Sequence, residues 1–236
     1  MRPAKLNTIG LLGGMSAVAT QEYYDIINRK VKEAKGGHNI AEIIIYSVNF
    51  AEIEQFIQRN AWDEAADYLV EKAKQLEAAG ASCLFLGTNT MHRVRAEIKA
   101  ATGIPFIDIF ETVSEEIKEK GKSKVGLLGT YPVMSDAFYI NAYKACGISI
   151  LVPNEPERKE INRIIFEELT HHKINNTSKE YYLEIIRGLA AEGAEGVILG
   201  CTEIKMLINQ EDVPEITLFD SLELHCKKAA NICIGD

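Results

Sequence analysis

Several familiar signatures are missing from this chain, and each absence removes a class of function. The five cysteines, Cys83, Cys146, Cys201, Cys226 and Cys233, are odd in number and scattered, with no CxxC pair and no finger spacing, so neither a disulfide framework nor a zinc site is encoded. GxGxxG and GxxxxGK[ST] are absent, which removes the main support for nicotinamide and P-loop chemistry, and so are HExxH and EF-hand spacings. No run approaches the roughly 18 apolar residues of a membrane span. Met1-Arg2-Pro3-Ala4-Lys5 and the short run to Gly13 lack the apolar stretch and cleavage site of a signal peptide. Cytoplasm is therefore the expected compartment. Basic residues are in deficit, 26 Lys and Arg against 34 Asp and Glu for a net charge of -8. Such a field repels phosphate backbones and anionic lipid, so neither nucleic acid nor a membrane surface is an expected partner. An anionic substrate would have to be held by local backbone N–H groups and hydroxyls.

What is present is ordinary for a globular protein. The 236 residues are 47% hydrophobic and 25% charged, enough for one or two domains with sizeable cores. Short apolar runs recur at Thr8 to Leu12, Glu42 to Val48, Ser82 to Leu86, Ile104 to Ile109, Lys124 to Leu128, Ile148 to Val152, Gly196 to Leu199 and Glu215 to Leu218. Each is followed by a stretch of helical period, an alternation that predicts an α/β protein with mainly parallel sheets. Asp63 to Ala79 reads as a helix with Ala66, Leu69, Val70, Ala73 and Leu76 on one face and Gly80 as its stop. An internal repeat underlies the pattern. Ile9-Gly10-Leu11-Leu12-Gly13-Gly14-Met15-Ser16 matches Val125-Gly126-Leu127-Leu128-Gly129-Thr130-Tyr131-Pro132, and Leu84-Phe85-Leu86-Gly87-Thr88-Asn89-Thr90 matches Val197-Ile198-Leu199-Gly200-Cys201-Thr202-Glu203. Pro105 to Asp108 and Pro214 to Asp220 close each half. The repeat predicts two pseudo-symmetric α/β domains, with equivalent loops around a shared cleft. The competing reading is chance recurrence of an apolar run followed by Gly.

In parallel sheets ligands sit at the carboxyl ends of strands. That rule selects the loops Gly13 to Ser16, Thr88 to His92, Thr130 to Ser135 and Cys201 to Glu203, rich in Gly, Ser, Thr and Asn. Each is expected to precede a helix whose N-terminus favours a carboxylate or phosphate. Cys201 would there have its thiolate favoured and act as base or nucleophile near neutral pH; an ordinary buried thiol is the competing reading. Cys83, Cys226 and Cys233 lie in apolar runs and read as core. Thr88, the counterpart of Cys201, reads as a cap or turn residue when taken alone. His92 suggests a triad partner for Cys201, but without a third orienting group a core or helix-start histidine is the better reading. His171 and His172 are adjacent, so they point to different faces and do not share a metal. Glu155 to Glu160 reads as a solvated loop and helix start.

These loops resemble the aspartate/glutamate racemase family, the cofactor-independent amino-acid racemases. The resemblance is carried by Gly10 to Ser16 with the helix bearing Tyr23-Tyr24, by Thr88-Asn89-Thr90-Met91-His92, by Leu128-Gly129-Thr130, by Ile161-Asn162-Arg163-Ile164-Ile165-Phe166-Glu167-Glu168-Leu169 and by Gly200-Cys201-Thr202-Glu203. Together they span nearly the whole chain in the family's order. The resemblance implies a first domain of residues 1–107 plus 221–236, a second of 108–220, an active site in the cleft between them, no cofactor and a homodimer. Two thiols on opposite faces of the substrate's α-carbon would remove and return its proton, because inverting a stereocentre without a cofactor needs an acid and a base on opposite sides.

This sequence has Thr88 where the commonest pattern has the first Cys, as a Thr/Cys subgroup does. The resemblance then implies Cys201 as base on one face and Thr88 as donor or relay on the other, directly or through water. Met15, Asn89, Thr90, Thr130 and Thr202 would hold the amino acid, L-aspartate or L-glutamate, by backbone and hydroxyl donors. Gln55 stands where aspartate-specific relatives place an Arg, and Thr170 where they have a Lys; an amide does not read a carboxylate bidentately, so both departures loosen aspartate recognition. The competing functions are a broad-specificity racemase, a single-cysteine malonate decarboxylase and an amino-acid-binding protein without turnover.

Overall fold

The structure, a computed structural model, describes residues 6–235, so Met1 to Lys5 lie outside the described residues. In chain order the elements are β1 (Ile9–Gly13), α1 (Ala17–Lys35), β2 (Ile43–Ser47), α2 (Phe50–Arg59), α3 (Trp62–Ala78), β3 (Cys83–Leu86), α4 (Arg95–Ala101), β4 (Phe106–Ile107), α5 (Ile109–Glu119), β5 (Lys124–Leu128), α6 (Tyr131–Ser135), α7 (Ala137–Ala145), β6 (Ser149–Leu151), α8 (Glu155–Glu167), α9 (Asn176–Ala191), β7 (Gly196–Leu199), β8 (Thr217–Asp220) and α10 (Ser221–Ile234). Single 3-10 turns occupy Thr90–Val94, Leu169–His171, Thr202–Met206 and Gln210–Asp212. The chain divides into two compact units, Met1–Ile109 with His225–Asp236 and Phe110–Leu224.

The first unit is built on a sheet of order β2-β1-β3-β4. Every pairing in it is parallel, with Ile9 opposite both Ile43 and Cys83, and Leu84 opposite Phe106. β1 and β3 are fully buried, which is why they read as unbroken apolar runs rather than alternating ones. α3 lays Ala65, Ala66, Leu69, Ala73 and Leu76 into the core; the chain then leaves the helix through Gly80 at φ +100°, a left-handed stop that glycine takes without strain. The second unit repeats the plan with a sheet of order β6-β5-β7-β8, again all parallel. α8 and α9 pack Ile161, Ile164, Ile165, Tyr182, Ile186 and Leu189 against it.

Two edge strands differ from expectation. β4 shrinks to Phe106–Ile107, because Pro105 has no N–H for a ladder and the chain turns into α5 at Ile109. β8 starts two residues later than the apolar run, because Val213 to Ile216 form a turn closed by Ile216 N–H on the Val213 carbonyl. The Gln210 amide also ties off the Ile216 carbonyl there. Glu155 to Glu160 lie wholly in α8, whose capping box joins Asn154 and Glu157. No helix among the described residues is long and apolar enough to cross a membrane.

Candidate active site

In the first unit the carboxyl ends of β1, β2 and β3 carry the loops of interest. Ser16 caps α1 by accepting from Ala19 N–H, and Asn49 caps α2 by accepting from Ala51 N–H. A pocket of about 470 Å³ opens beside the two helix starts, lined by Gly14, Ser16, Ala17, Ser47, Val48, Asn49 and Phe50. Two helix N-termini aimed at one space favour an anion. The first loop lies directly on the second at Gly14, where a Cβ would meet the Val48 main chain, and Val48 N–H donates to the Gly13 carbonyl at 3.0 Å. Thr20 braces the arrangement, its hydroxyl accepting from Gly14 N–H at 2.8 Å and donating to the Ser16 carbonyl at 2.9 Å. Met15 is 7% exposed and packs in the same core as Val48 and Met91, so only its main chain can face a ligand. Gln55 is exposed on α2 and lines no part of this pocket.

Thr88, Asn89 and Thr90 follow β3, all half-buried. Among the described residues no protein group takes the hydroxyls of Thr88, Thr90 or Thr130, which leaves those hydroxyls for a ligand. The Thr88 main chain is held from behind. His92 is fully buried; its Nδ1–H donates to the Thr88 carbonyl at 2.6 Å, and its Nε2 accepts from Ile109 N–H at 3.2 Å. Both ring nitrogens are therefore spent on main chain, which sets the tautomer and removes His92 from the triad role. A second buried histidine, His225, accepts from Tyr23 O–H at 2.6 Å and donates to the Ile107 carbonyl at 2.9 Å, with its ring 5.9 Å from that of His92. Burial drives both imidazoles down to about 3, so both are neutral.

In the second unit Thr130 follows β5 and Cys201 follows the neighbouring β7. The strand ends touch closely at Gly129 and Gly200, where a side chain on Gly200 would meet the Leu128 carbonyl at 3.0 Å. Asn162 of α8 accepts from Tyr131 N–H at 2.8 Å and so fixes the turn that bears Thr130. Cys201 is half-buried; its thiol donates to Glu203 Oε2 at 3.0 Å, and the Thr202 hydroxyl donates to the same oxygen at 2.7 Å. Thr202 thereby spends its proton inside the protein and presents only an acceptor outward.

The thiol departs from expectation. Burial first, and then the charge of Glu203, push the Cys201 thiol well above its ordinary value, whereas a helix start was expected to lower it. The element that follows is a single 3-10 turn, Thr202–Met206, and even a full helix end contributes only about 0.3–1 kcal/mol. Desolvation of a buried group moves a pKa by up to about 3–5 units and decides the outcome. The expected run of helix N-termini is likewise incomplete, because Thr90–Val94 is also a 3-10 turn and α6 has five residues.

Cys83, Cys226 and Cys233 are buried as expected, with burial raising Cys83 to about 11. His171, His172 and Thr170 are exposed. No group of three or more His, Cys, Asp or Glu able to hold a metal occurs among the described residues. The sequence reading named Asn162 and Glu203 within its segments but gave neither a role, and it passed over the Ser47 to Phe50 wall. That wall did leave a local signal, Asn49 placed just before an apolar periodic run.

The fold and these loops define a duplicated parallel α/β protein with a thiol-bearing loop at one strand end and a hydroxyl-bearing loop at the equivalent end of its repeat. Residues 12–229 match the Asp/Glu/hydantoin racemase family, and the chain belongs to it. It is 40% identical to a candidate Asp/Glu racemase from Yersinia pestis, with TM-score 0.93 over 97% of this chain and 100% of that one. It is 37% identical to an aspartate racemase homologue from Pyrococcus horikoshii OT3, with TM-score 0.87 at the same coverages. Against a glutamate racemase of Enterococcus faecalis it is 28% identical over 71% of this chain, spanning 59% of that enzyme's length.

Proposed function

We infer that the protein is a cofactor-independent racemase of acidic amino acids, interconverting the L and D forms of aspartate or glutamate. In this reading Cys201 exchanges the α-proton on one face, and Thr88, directly or through a water, serves the opposite face. The observation that carries it is positional: Cys201 and Thr88 occupy equivalent strand ends, after β7 and β3, in two sheets of the same order. The uncommitted hydroxyls of Thr88, Thr90 and Thr130 and the paired starts of α1 and α2 suit a zwitterion with a carboxylate. Thr202 suits the ammonium group, because its free oxygen accepts. Gln55, exposed and outside the pocket beside those helix starts, offers no bidentate hold on a side-chain carboxylate, which supports tolerance of uncharged side chains such as that of homoserine. A Thr hydroxyl is a far weaker acid than a thiol, so the two directions proceed at unequal rates from matched saturating substrate concentrations, within the limit that an overall equilibrium constant of one makes kcat/KM equal in both. The homodimer that the resemblance implies belongs to the same proposal.

The test is proton NMR in deuterium oxide with L-aspartate, L-glutamate and L-homoserine, following α-proton loss and chiral composition. Exchange with inversion is expected, and Cys201→Ser should lower it by at least about a hundredfold. Exchange with retention would remove Thr88 from its role. Silence with all three substrates would overturn the racemase reading for them.

A further inference from the structure

The main chain at Thr88 is held in an unusual way. An α-turn from Thr88 to His92 would pair the Thr88 carbonyl with His92 N–H. The turn that forms is 3-10 instead, and His92 N–H donates to the Asn89 carbonyl at 3.2 Å. The ring of the same residue supplies the missing donor, Nδ1–H reaching the Thr88 carbonyl at 2.6 Å. On its other side Thr88 N–H donates to the Leu86 carbonyl at 2.9 Å. Both main-chain polar groups of Thr88 are therefore tied, which sets the direction of its Cα–Cβ bond, and the stiff χ1 of a β-branched residue adds little freedom. The ring itself has no room to shift. It is fully buried, its Nε2 accepts from Ile109 N–H at 3.2 Å, and it meets the Phe106 ring edge-on at 5.7 Å between centroids. Ile109 is the last residue of the first unit before the chain passes to the second. One imidazole thus fastens the hydroxyl-bearing turn to the exit of the unit.

We propose that His92 is the positioning residue for Thr88, and that its Nδ1–H bond to the Thr88 carbonyl is what holds the hydroxyl in place to serve one face of the substrate carbon. This rests on the racemase reading. His92 touches no reacting atom and acts only through Thr88. The expected consequence is lopsided, because Cys201 serves the other face by itself. With Thr88 displaced, the Cα–H bond on the Cys201 face still breaks, its electron pair stays on Cα and its proton passes to sulfur. In deuterium oxide the sulfur trades that proton for a deuteron and returns it to the same face, so exchange continues with retention. Inversion needs both faces and stops. From the opposite enantiomer, whose α-hydrogen faces Thr88, exchange and inversion fall together. A general loss of structure would instead lower exchange from both enantiomers alike.

Two substitutions divide the ring's bonds between them. His92→Asn sets an amide N–H near the place of Nδ1 and gives up the bond to Ile109; His92→Gln reaches further, sets an oxygen near the place of Nε2 and gives up the bond to Thr88. Loss of α-proton and chiral composition are followed in deuterium oxide from the L and the D form of the wild type's best substrate among aspartate, glutamate and homoserine. Thr88→Val, which lacks the hydroxyl, sets the floor for inversion. His92→Gln should approach that floor, with inversion down about a hundredfold, the ordinary cost of a misplaced group, while exchange from one enantiomer stays within about threefold of wild type. His92→Asn should keep inversion at least about tenfold above the floor. A ratio of inversion to exchange in His92→Gln within about threefold of wild type, equal loss of exchange from both enantiomers, or His92→Asn at the floor overturns the proposal. Should His92→Gln not fold, His92→Asn decides alone by the same criterion. A wild type without exchange fails the racemase reading itself, and an undiminished Thr88→Val removes Thr88 from it and this proposal with it; once both controls behave, the two variants bear on His92 alone.

Discussion

Gly14 shows how a single residue sets the first unit's loop geometry. Its φ is +86°, and a Cβ there would come within 2.2 Å of the Val48 carbonyl oxygen and 2.4 Å of the Val48 nitrogen. Both obstacles are main chain, so no side-chain rotation relieves them. Gly14→Ala therefore combines a disfavoured backbone with a displaced β2 loop. It should cost about 2–4 kcal/mol of stability, measured by urea unfolding, and should open the contact between Val48 N–H and the Gly13 carbonyl. Gly36→Ala is the matched control, since it also has positive φ but nothing within 4 Å; a loss for Gly14→Ala no larger than the control's would refute the close-approach argument.

At the scale of elements, two buried histidines in the first unit act as polar struts: His225 of α10 joins α1 to β4, and His92 joins the turn after β3 to the start of α5. Each accepts one hydrogen bond and donates one, which only the neutral ring can do. Their folded pKa values of about 3 lie below the ordinary 6.5. Protonation therefore favours the unfolded chain: stability is complete above about pH 6.5 and is lost as pH falls from there toward 3. With two such groups the slope approaches about 2–3 kcal/mol per pH unit. Urea midpoints should hold from pH 8 to 7 and fall clearly between pH 6 and 5, before most carboxylates titrate. A midpoint independent of pH down to 5 would show that these rings are not the neutral, buried pair described. The Thr88 carbonyl hangs on His92, so acid should also lower proton exchange before global unfolding.

For the whole molecule, the proposed homodimer leads to a concrete expectation. β2 is an edge strand of the first sheet, carrying the exposed Ile45, while Val18 and Tyr24 on α1 and Phe50 at the start of α2 are also exposed. An open strand edge with apolar side chains invites pairing unless it is covered. Light scattering should give twice the chain mass of 26.2 kDa, and Ile45→Lys should shift it toward monomer, because a charge on an edge strand opposes pairing. Wild-type protein that is monomeric at tens of micromolar would refute the dimer.

Short apolar runs and a period of 3.6 residues, read along one chain, were enough to foretell eight mainly parallel strands, the helix now seen at Trp62–Ala78 and a repeat, whose halves prove to share one sheet order. Fully buried strands such as β3 and β7 announce themselves as unbroken apolar runs because both faces are dry. Loops at their carboxyl ends were legible for the same reason, and Cys201 and Thr88 with them. Strand ends at Pro105 and Ile216 were not, since a missing N–H and a local turn, rather than the apolar pattern, decide where pairing stops. Nor was the protonation of Cys201. A sequence shows a thiol two residues from a carboxylate, but whether that thiol is bathed in water or packed against the second unit's core depends on tertiary packing, and desolvation outweighs a helix end. His92 and His225 look like any other histidines in the chain; only tertiary burial, with every ring nitrogen matched to a partner, turns them into a neutral, acid-sensitive strut.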